Sequence, residues 1–300
     1  MKEELVSVID SALTTAGPVG SAGTGGLGLP VLSAPETALL RRLDGVFEGW
    51  GTQAGAQSMI MPPLLPVASL ARLDFYDNFP HQAVVVSALD LRNGRPGADG
   101  PPVAFAGDAL EPARLALPSA ACFAVYLSME GARLTQDTTV TVLGRCFRRE
   151  EHYEQLRRLL GFHMREVVAL GSREFVTAHL SRFEARISAF LTALGLPFTK
   201  EAATDPFYDR GGQRALLQRL SPVKHEFVVD GLAIASLNVH RNFFGERCDI
   251  RHGDAADPVF TGCAAFGLER WLSVLRGRFG DWGAALQAVE AAATDSAVAS

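Results

Sequence analysis

Two arginines stand in settings that suit phosphate chemistry. Arg148 follows an apolar run in Cys146-Phe147-Arg148-Arg149-Glu150, and Arg270 closes Gly262-Cys263-Ala264-Ala265-Phe266-Gly267-Leu268-Glu269-Arg270, more than a hundred residues later. A guanidinium is planar, always charged and able to bond phosphate or carboxylate oxygens in pairs. The arginines at 148, 149, 157, 158 and 165 could also form a solvated or nucleic-acid-binding face. Gly23-Thr24-Gly25-Gly26-Leu27-Gly28 matches G-x-G-x-x-G, but no strand pattern precedes it and Pro30 comes where a dinucleotide-binding helix should begin. It reads as a loop. The four cysteines, at 122, 146, 248 and 263, lie far apart, and each taken alone reads as a small buried hydrophobe.

The elements that must position these residues are legible as periodicities. Residues 3–14 and about 33–49 have helical spacing, the second opened by a capping box of Ser33 and Glu36. Ser58-Met59-Ile60-Met61 reads as a strand stopped by Pro62 and Pro63. A strand near Thr138 to Phe147 and a return strand near Phe162 to Leu170 flank an Arg-rich loop. A helix follows from about Ser172 to Leu194, with Phe175, Val176, Leu180, Phe183, Ile187 and Phe190 on one face. Strand-like segments around Glu226–Val229 and Leu232–Leu237 precede a helix expected over about 263–275. Long antiparallel strands with helices segregated between them predict an α+β fold.

Composition bounds the function. With 300 residues and 48% hydrophobic content the chain can bury a large core, and a net charge of -5 argues against a general nucleic-acid binder. The N-terminal residues show neither a signal peptide nor a membrane span, which makes the cytoplasm the expected compartment. Four cysteines do not suggest a disulfide framework.

Phe-Arg-x-Glu at the end of a strand, followed by an Arg-rich loop and a second strand, resembles motif 2 of the class II aminoacyl-tRNA synthetases. Gly-x-x-x-x-Gly-Leu-Glu-Arg opening a helix resembles their motif 3, and the helix and proline-ended strand of residues 33–63 resemble motif 1, their dimer interface. Within that superfamily the chain is similar to the amino acid:[carrier protein] ligases, and so to the catalytic domain of the zinc-containing seryl-tRNA synthetases of methanogens. Glu166 lies on the return strand of motif 2 and Cys263 starts motif 3. With Cys122 in Ala-Cys-Phe-Ala-Val-Tyr, they match that branch's Cys, Glu, Cys zinc set. Two thiolates and a carboxylate leave a fourth zinc position open, which the substrate amino group takes in the family. Ala203-Thr204-Asp205-Pro206-Phe207-Tyr208, Lys224 before an acidic strand, and Ser236-Leu237-Asn238 resemble further segments of the branch. One departure is that Leu232-Ala233-Ile234-Ala235 stands where ordinary seryl enzymes place a magnesium-binding glutamate.

The resemblance implies a class II synthetase-like antiparallel sheet flanked by helices, in a catalytic domain of residues 35–290. Residues 1–34 form an N-terminal helix and Gly-rich loop, and 291–300 a frayed tail. It assigns Arg148, Glu150 and Arg270 to catalysis, and Lys224, Ser236 and Asn238 with them to ATP, used with Mg²⁺. It places one zinc on Cys122, Glu166 and Cys263, with Glu150 and Glu166 at the substrate. The activity implied is activation of a small amino acid, glycine or alanine, as the adenylate, and its transfer to the phosphopantetheine thiol of a carrier protein by a homodimer. Some 35 residues before the core are too few for a tRNA-binding domain. Charging of tRNA is therefore not expected. The segment 205–220, with Arg214 and Arg219, is a candidate helix for docking an acidic carrier or an ordinary surface helix. The rival readings are a truncated synthetase acylating tRNA or another acceptor, and a non-enzymatic paralogue.

Overall fold

The computed structural model describes residues 28–92, 102–209, 211–253 and 257–298. The N-terminal helix expected over 3–14 and all of the Gly-rich motif but Gly28 lie outside the described residues. The main sheet comprises β1 (Gln57–Met59), β2 (Thr138–Phe147), β3 (Gly161–Gly171), β4 (Thr199–Ala203), β5 (Lys224–Val229), β6 (Leu232–Arg241) and β7 (Phe260–Gly267). Their spatial order is β1-β2-β3-β7-β6-β5-β4. Each neighbouring pair is antiparallel except β1 with β2. The helices that matter to the site are α1 (Ala34–Gln53), α2 (Cys122–Ser128), α3 (Arg173–Ala193), α4 (Gln213–Leu220), α5 (Leu268–Phe279) and α6 (Trp282–Val298).

Strand alternation divides the sheet into a structural face and a chemical face. Val167 and Ala169 of β3, Ala264 and Phe266 of β7, and Leu237 of β6 turn toward α1, α3, α5 and α6 and form one buried cluster with them. Phe47 of α1 is its hub, stacked on Phe266 at 4.1 Å and 5.2 Å from Trp271. Replacing fully buried Phe47 with alanine is expected to cost about 3–5 kcal/mol, read as a lower urea midpoint with an unchanged denaturant slope.

Two details of the chain shape the sheet. Asp230 and Gly231 both have positive φ, 50° and 71°, and close the β5–β6 hairpin as a two-residue turn. At Gly144 of β2 a Cβ would lie 2.7 Å from that of Ala121, so only glycine lets the start of α2 approach the sheet.

Two boundaries differ from the sequence expectation. Gly262–Gly267 is strand, not helix: Cys263 to Phe266 are buried between β3 and β6, and the helix starts only at Leu268. The C-terminal segment expected to fray is helical to Val298, because Val289 and Ala292 are buried against the core and alanine favours helix. Arg165 also departs from a solvated arginine face. It is 3% exposed and its Nε and Nη2 clasp Asp44 of α1 at 2.7 and 2.9 Å, because an odd-numbered residue of β3 faces the helices. Among the described residues no helix is long and apolar enough to cross a membrane.

Candidate active site

The chemical face carries two rows of side chains. Glu226, Ser236, Ala265 and Glu166 are successive Cα partners across β5, β6, β7 and β3; Lys224, Asn238, Cys263 and Val168 form the next row. All of these but Val168 line a cavity of ≈ 490 Å³. Sheet register alone brings Glu166 and Cys263, 97 residues apart in the chain, to adjacent strands.

At the inner end α2 adds Cys122. The Cys122 and Cys263 sulfurs and a Glu166 carboxylate oxygen all lie within 4.8 Å of one another, and all three residues are buried. Glu166 Oε1 accepts from the Ala121 backbone N–H at 2.9 Å, while Oε2 is buried with no hydrogen-bond partner among the described residues. Sealed together beside Glu166, the two thiols resist ionisation. The Cys122 thiol is pushed well up, by its hydrogen bond to Cys263, by burial and by the charge of Glu166. For Cys263 the hydrogen bond to Cys122 acts downward, but burial and Glu166 outweigh it and the thiol is raised. A divalent cation removes this conflict, and zinc takes this donor set of sulfur and carboxylate oxygen. The orphaned Oε2 is the specific fit.

Around the three groups stands a second layer. Asn238 Nδ2 donates to Cys263 Sγ at 3.4 Å and to Ser236 Oγ at 3.1 Å. His240 Nε2 lies 4.0 Å from Cys263 Sγ, and its Nδ1 is 3.1 Å from the Tyr126 hydroxyl. Burial pushes His240 down to about 4. It is therefore neutral at pH 7. Tyr126 stacks on Phe244 at 4.1 Å, and His240 meets Phe244 edge-on at 4.9 Å.

The outer end is cationic. Arg148, at the end of β2, donates from Nε to Ser119 O at 3.0 Å and lies 5.1 Å over the Phe162 ring. Glu150 pairs with Arg158 at 2.8 Å. Arg270, in the first turn of α5, donates to the carbonyls of Arg157 and Ala233 at 3.0 and 2.9 Å. Burial, then the charge of Arg148, lowers Arg270 to about 10, so it stays charged at neutral pH. Glu269, beside it, is buried and accepts from the His163 N–H at 2.8 Å, which fixes the head of α5 against β3.

No protein-family model matches the chain. Over 230 residues, 73% of the chain and 70% of the relative, it is 32% identical to amino acid:[acyl-carrier-protein] ligase 1 of Bradyrhizobium diazoefficiens. The chain belongs to the amino acid:[acyl-carrier-protein] ligase family. Seryl-tRNA synthetase of M. kandleri, solved in complex with tRNASec of A. aeolicus, shares the fold with a TM-score of 0.73 at 19% identity, over 88% of this chain and 57% of that one. Seryl-tRNA synthetase of Pyrococcus horikoshii, complexed with ATP, does so with a TM-score of 0.65 at 13% identity, over 86% and 55%. The ligase chain thus spans a little over half of each synthetase and has the class II α+β fold.

In the ligase, Arg148, Glu150, Lys224, Ser236, Asn238, Arg270, Cys122, Glu166 and Cys263 all line the one cavity. Arg219 sits on the exposed side of α4 away from it, and the Arg214 side chain lies outside the described residues. Cys146 and Cys248 are buried apart from the cluster, as small hydrophobes. Sequence reasoning missed His240, Tyr126, Glu269, Asp205 and Gln218 as parts of the site. His240 had a signal, since Ser236, Asn238 and His240 follow at intervals of two along one strand. Tyr126 and Gln218 had none, because separate helices, α2 and α4, deliver them.

Proposed function

We propose that this ligase activates a small amino acid, glycine or alanine, with ATP and Mg²⁺ and transfers it to the phosphopantetheine thiol of a carrier protein, acting as a cytoplasmic homodimer. The single observation that carries the reading is the meeting of Arg148 and Arg270 with the Cys122, Glu166 and Cys263 cluster in one cavity. In the first step a carboxylate oxygen of the amino acid attacks the α-phosphorus of ATP and pyrophosphate leaves. In the second, the carrier's thiolate attacks the acyl carbon and AMP leaves, forming a thioester. Arg148 and Arg270 bind the phosphates and offset their charge, an electrostatic role. Glu150 and Lys224 orient the nucleotide, and Ser236 and Asn238 border it. Cys122, Glu166 and Cys263 would hold zinc, which when bound supplies a Lewis-acid centre for the substrate amino group. The preference for a small side chain is supported by the wall of His240 and Phe244 beside Cys263, backed by buried Tyr126.

Docking of the carrier on α4 is supported by its surface. Leu216, Leu217 and Leu220 are 48%, 64% and 74% exposed, and Leu217 lines the cavity. The expected result is that labelled glycine or alanine becomes attached to phosphopantetheinylated carrier through a bond labile to hydroxylamine. Reversing charge at Arg214 and Arg219 together with Leu220→Asp should lower transfer by on the order of tenfold, ~1.4 kcal/mol, with amino-acid-dependent pyrophosphate exchange within about twofold. Efficient charging of total tRNA with no transfer to any carrier would replace this reading with the truncated synthetase.

A further inference from the structure

Lys224 opens β5 on the cavity wall, and its ammonium is held between two carboxylates, Asp205 Oδ1 at 3.3 Å and Glu226 Oε1 at 3.2 Å. Both contacts are longer than the roughly 2.7–2.9 Å of a tight charge-assisted hydrogen bond. An ammonium has three donors, so among the described residues two are loosely engaged and one is left for a ligand.

Asp205 is itself held in an unusual way. Gln218 of α4 accepts from the Asp205 backbone N–H at 2.9 Å and donates from Nε2 to Asp205 Oδ2 at 2.9 Å. One amide thus uses its acceptor and a donor on one residue, and the carboxylate cannot turn without breaking a bond. Burial raises Asp205, but Lys224 and Gln218 outweigh it and hold the carboxyl below its ordinary value, so it is ionised at neutral pH. The same segment is pinned across the cavity by Phe207 stacked on Phe79 at 5.3 Å and by the Tyr208 N–H to Asn78 O at 2.8 Å. Gln218 and the exposed leucines share α4, so the chain Gln218–Asp205–Lys224 connects the outer helix to the cavity.

We propose that Gln218 and Asp205 are positioning residues for the nucleotide: their clasp sets the Lys224 ammonium where a phosphate of ATP binds and anchors α4 to that point. The inference rests on the ATP reading of the cavity and deepens it, so its test is equilibrium binding rather than turnover. Affinities for a non-hydrolysable ATP analogue with magnesium, and for adenosine, would be measured by calorimetry on the full chain. Gln218→Leu and Asp205→Asn should each weaken the analogue by roughly tenfold and leave adenosine within about twofold, because Lys224 addresses phosphate and not the base. Gln218→Asn, one methylene too short for both bonds, should give the same split while keeping an amide at the surface. The exchange Asp205→Asn with Gln218→Glu restores donor to acceptor and should recover most of what Asp205→Asn alone loses. Equal losses for analogue and adenosine would mean that the cavity has merely collapsed, and would overturn the positioning role. So would analogue affinity unchanged in all the single variants. Failure of the unaltered protein to bind the analogue would instead overturn the ATP reading itself.

Discussion

Arg270→Ala is expected to lower amino-acid-dependent pyrophosphate exchange by on the order of a hundredfold or more, and Arg148→Ala to do the same. The reason lies in how each cation is presented. Arg270 is fixed by two backbone carbonyls and, among the described residues, by no carboxylate within salt-bridge distance, so its charge is not neutralised before a phosphate arrives. Burial already lowers it to about 10, which shows the cation to be poorly solvated. An anion that meets a cation so placed gains more than it would in water, and little reorganisation is needed. Arg148 is oriented in the same manner, by Ser119 O and the face of Phe162. Arg270→Lys should recover little, because an ammonium cannot span two carbonyls and still present a planar edge to phosphate. Zinc content should stay normal in all three variants. Unchanged exchange in both alanine variants would rule out the phosphate roles.

The second large effect concerns the buried acids. The purified protein should hold about one zinc per chain, and Cys263→Ala should abolish both the metal and amino-acid activation. Without a cation, two raised thiols and a carboxylate with an orphaned oxygen share a space 4.8 Å across, an arrangement that costs stability and offers nothing in return. Binding should therefore also stabilise the fold, and chelation should lower the melting temperature of the native protein but not of the variant. Stoichiometric zinc in Cys263→Ala would show that the metal lies elsewhere.

Much of the site was legible because β structure has a period of two. The runs of residues 138–147 and 162–170 read as two strands, and Phe147-Arg148 and Glu269-Arg270 mark the end of the first and the opening of a helix. The short apolar run Cys263 to Phe266 reads as helix in the sequence because such a run has no periodicity that separates a buried strand from a buried helix. Arg165 was grouped with its neighbours for the same kind of reason: sequence gives adjacency, whereas the pleat sends Arg165 and Glu166 to opposite faces.

The sequence by itself determined the α+β class, the two arginine motifs and, through family resemblance, the trio Cys122, Glu166 and Cys263. Local pattern suffices there, since periodicity, caps and short motifs depend on neighbours a few residues apart. Only the tertiary structure decided that Asn238 and His240 border Cys263, that Gln218 reaches Asp205 and Asp205 reaches Lys224, and that Arg165 belongs to the core with Asp44. Those meetings depend on register between strands distant in the chain and on the close approach of α2 that Gly144 permits. Such contacts are set by how whole elements pack, and no local stretch of sequence carries that information.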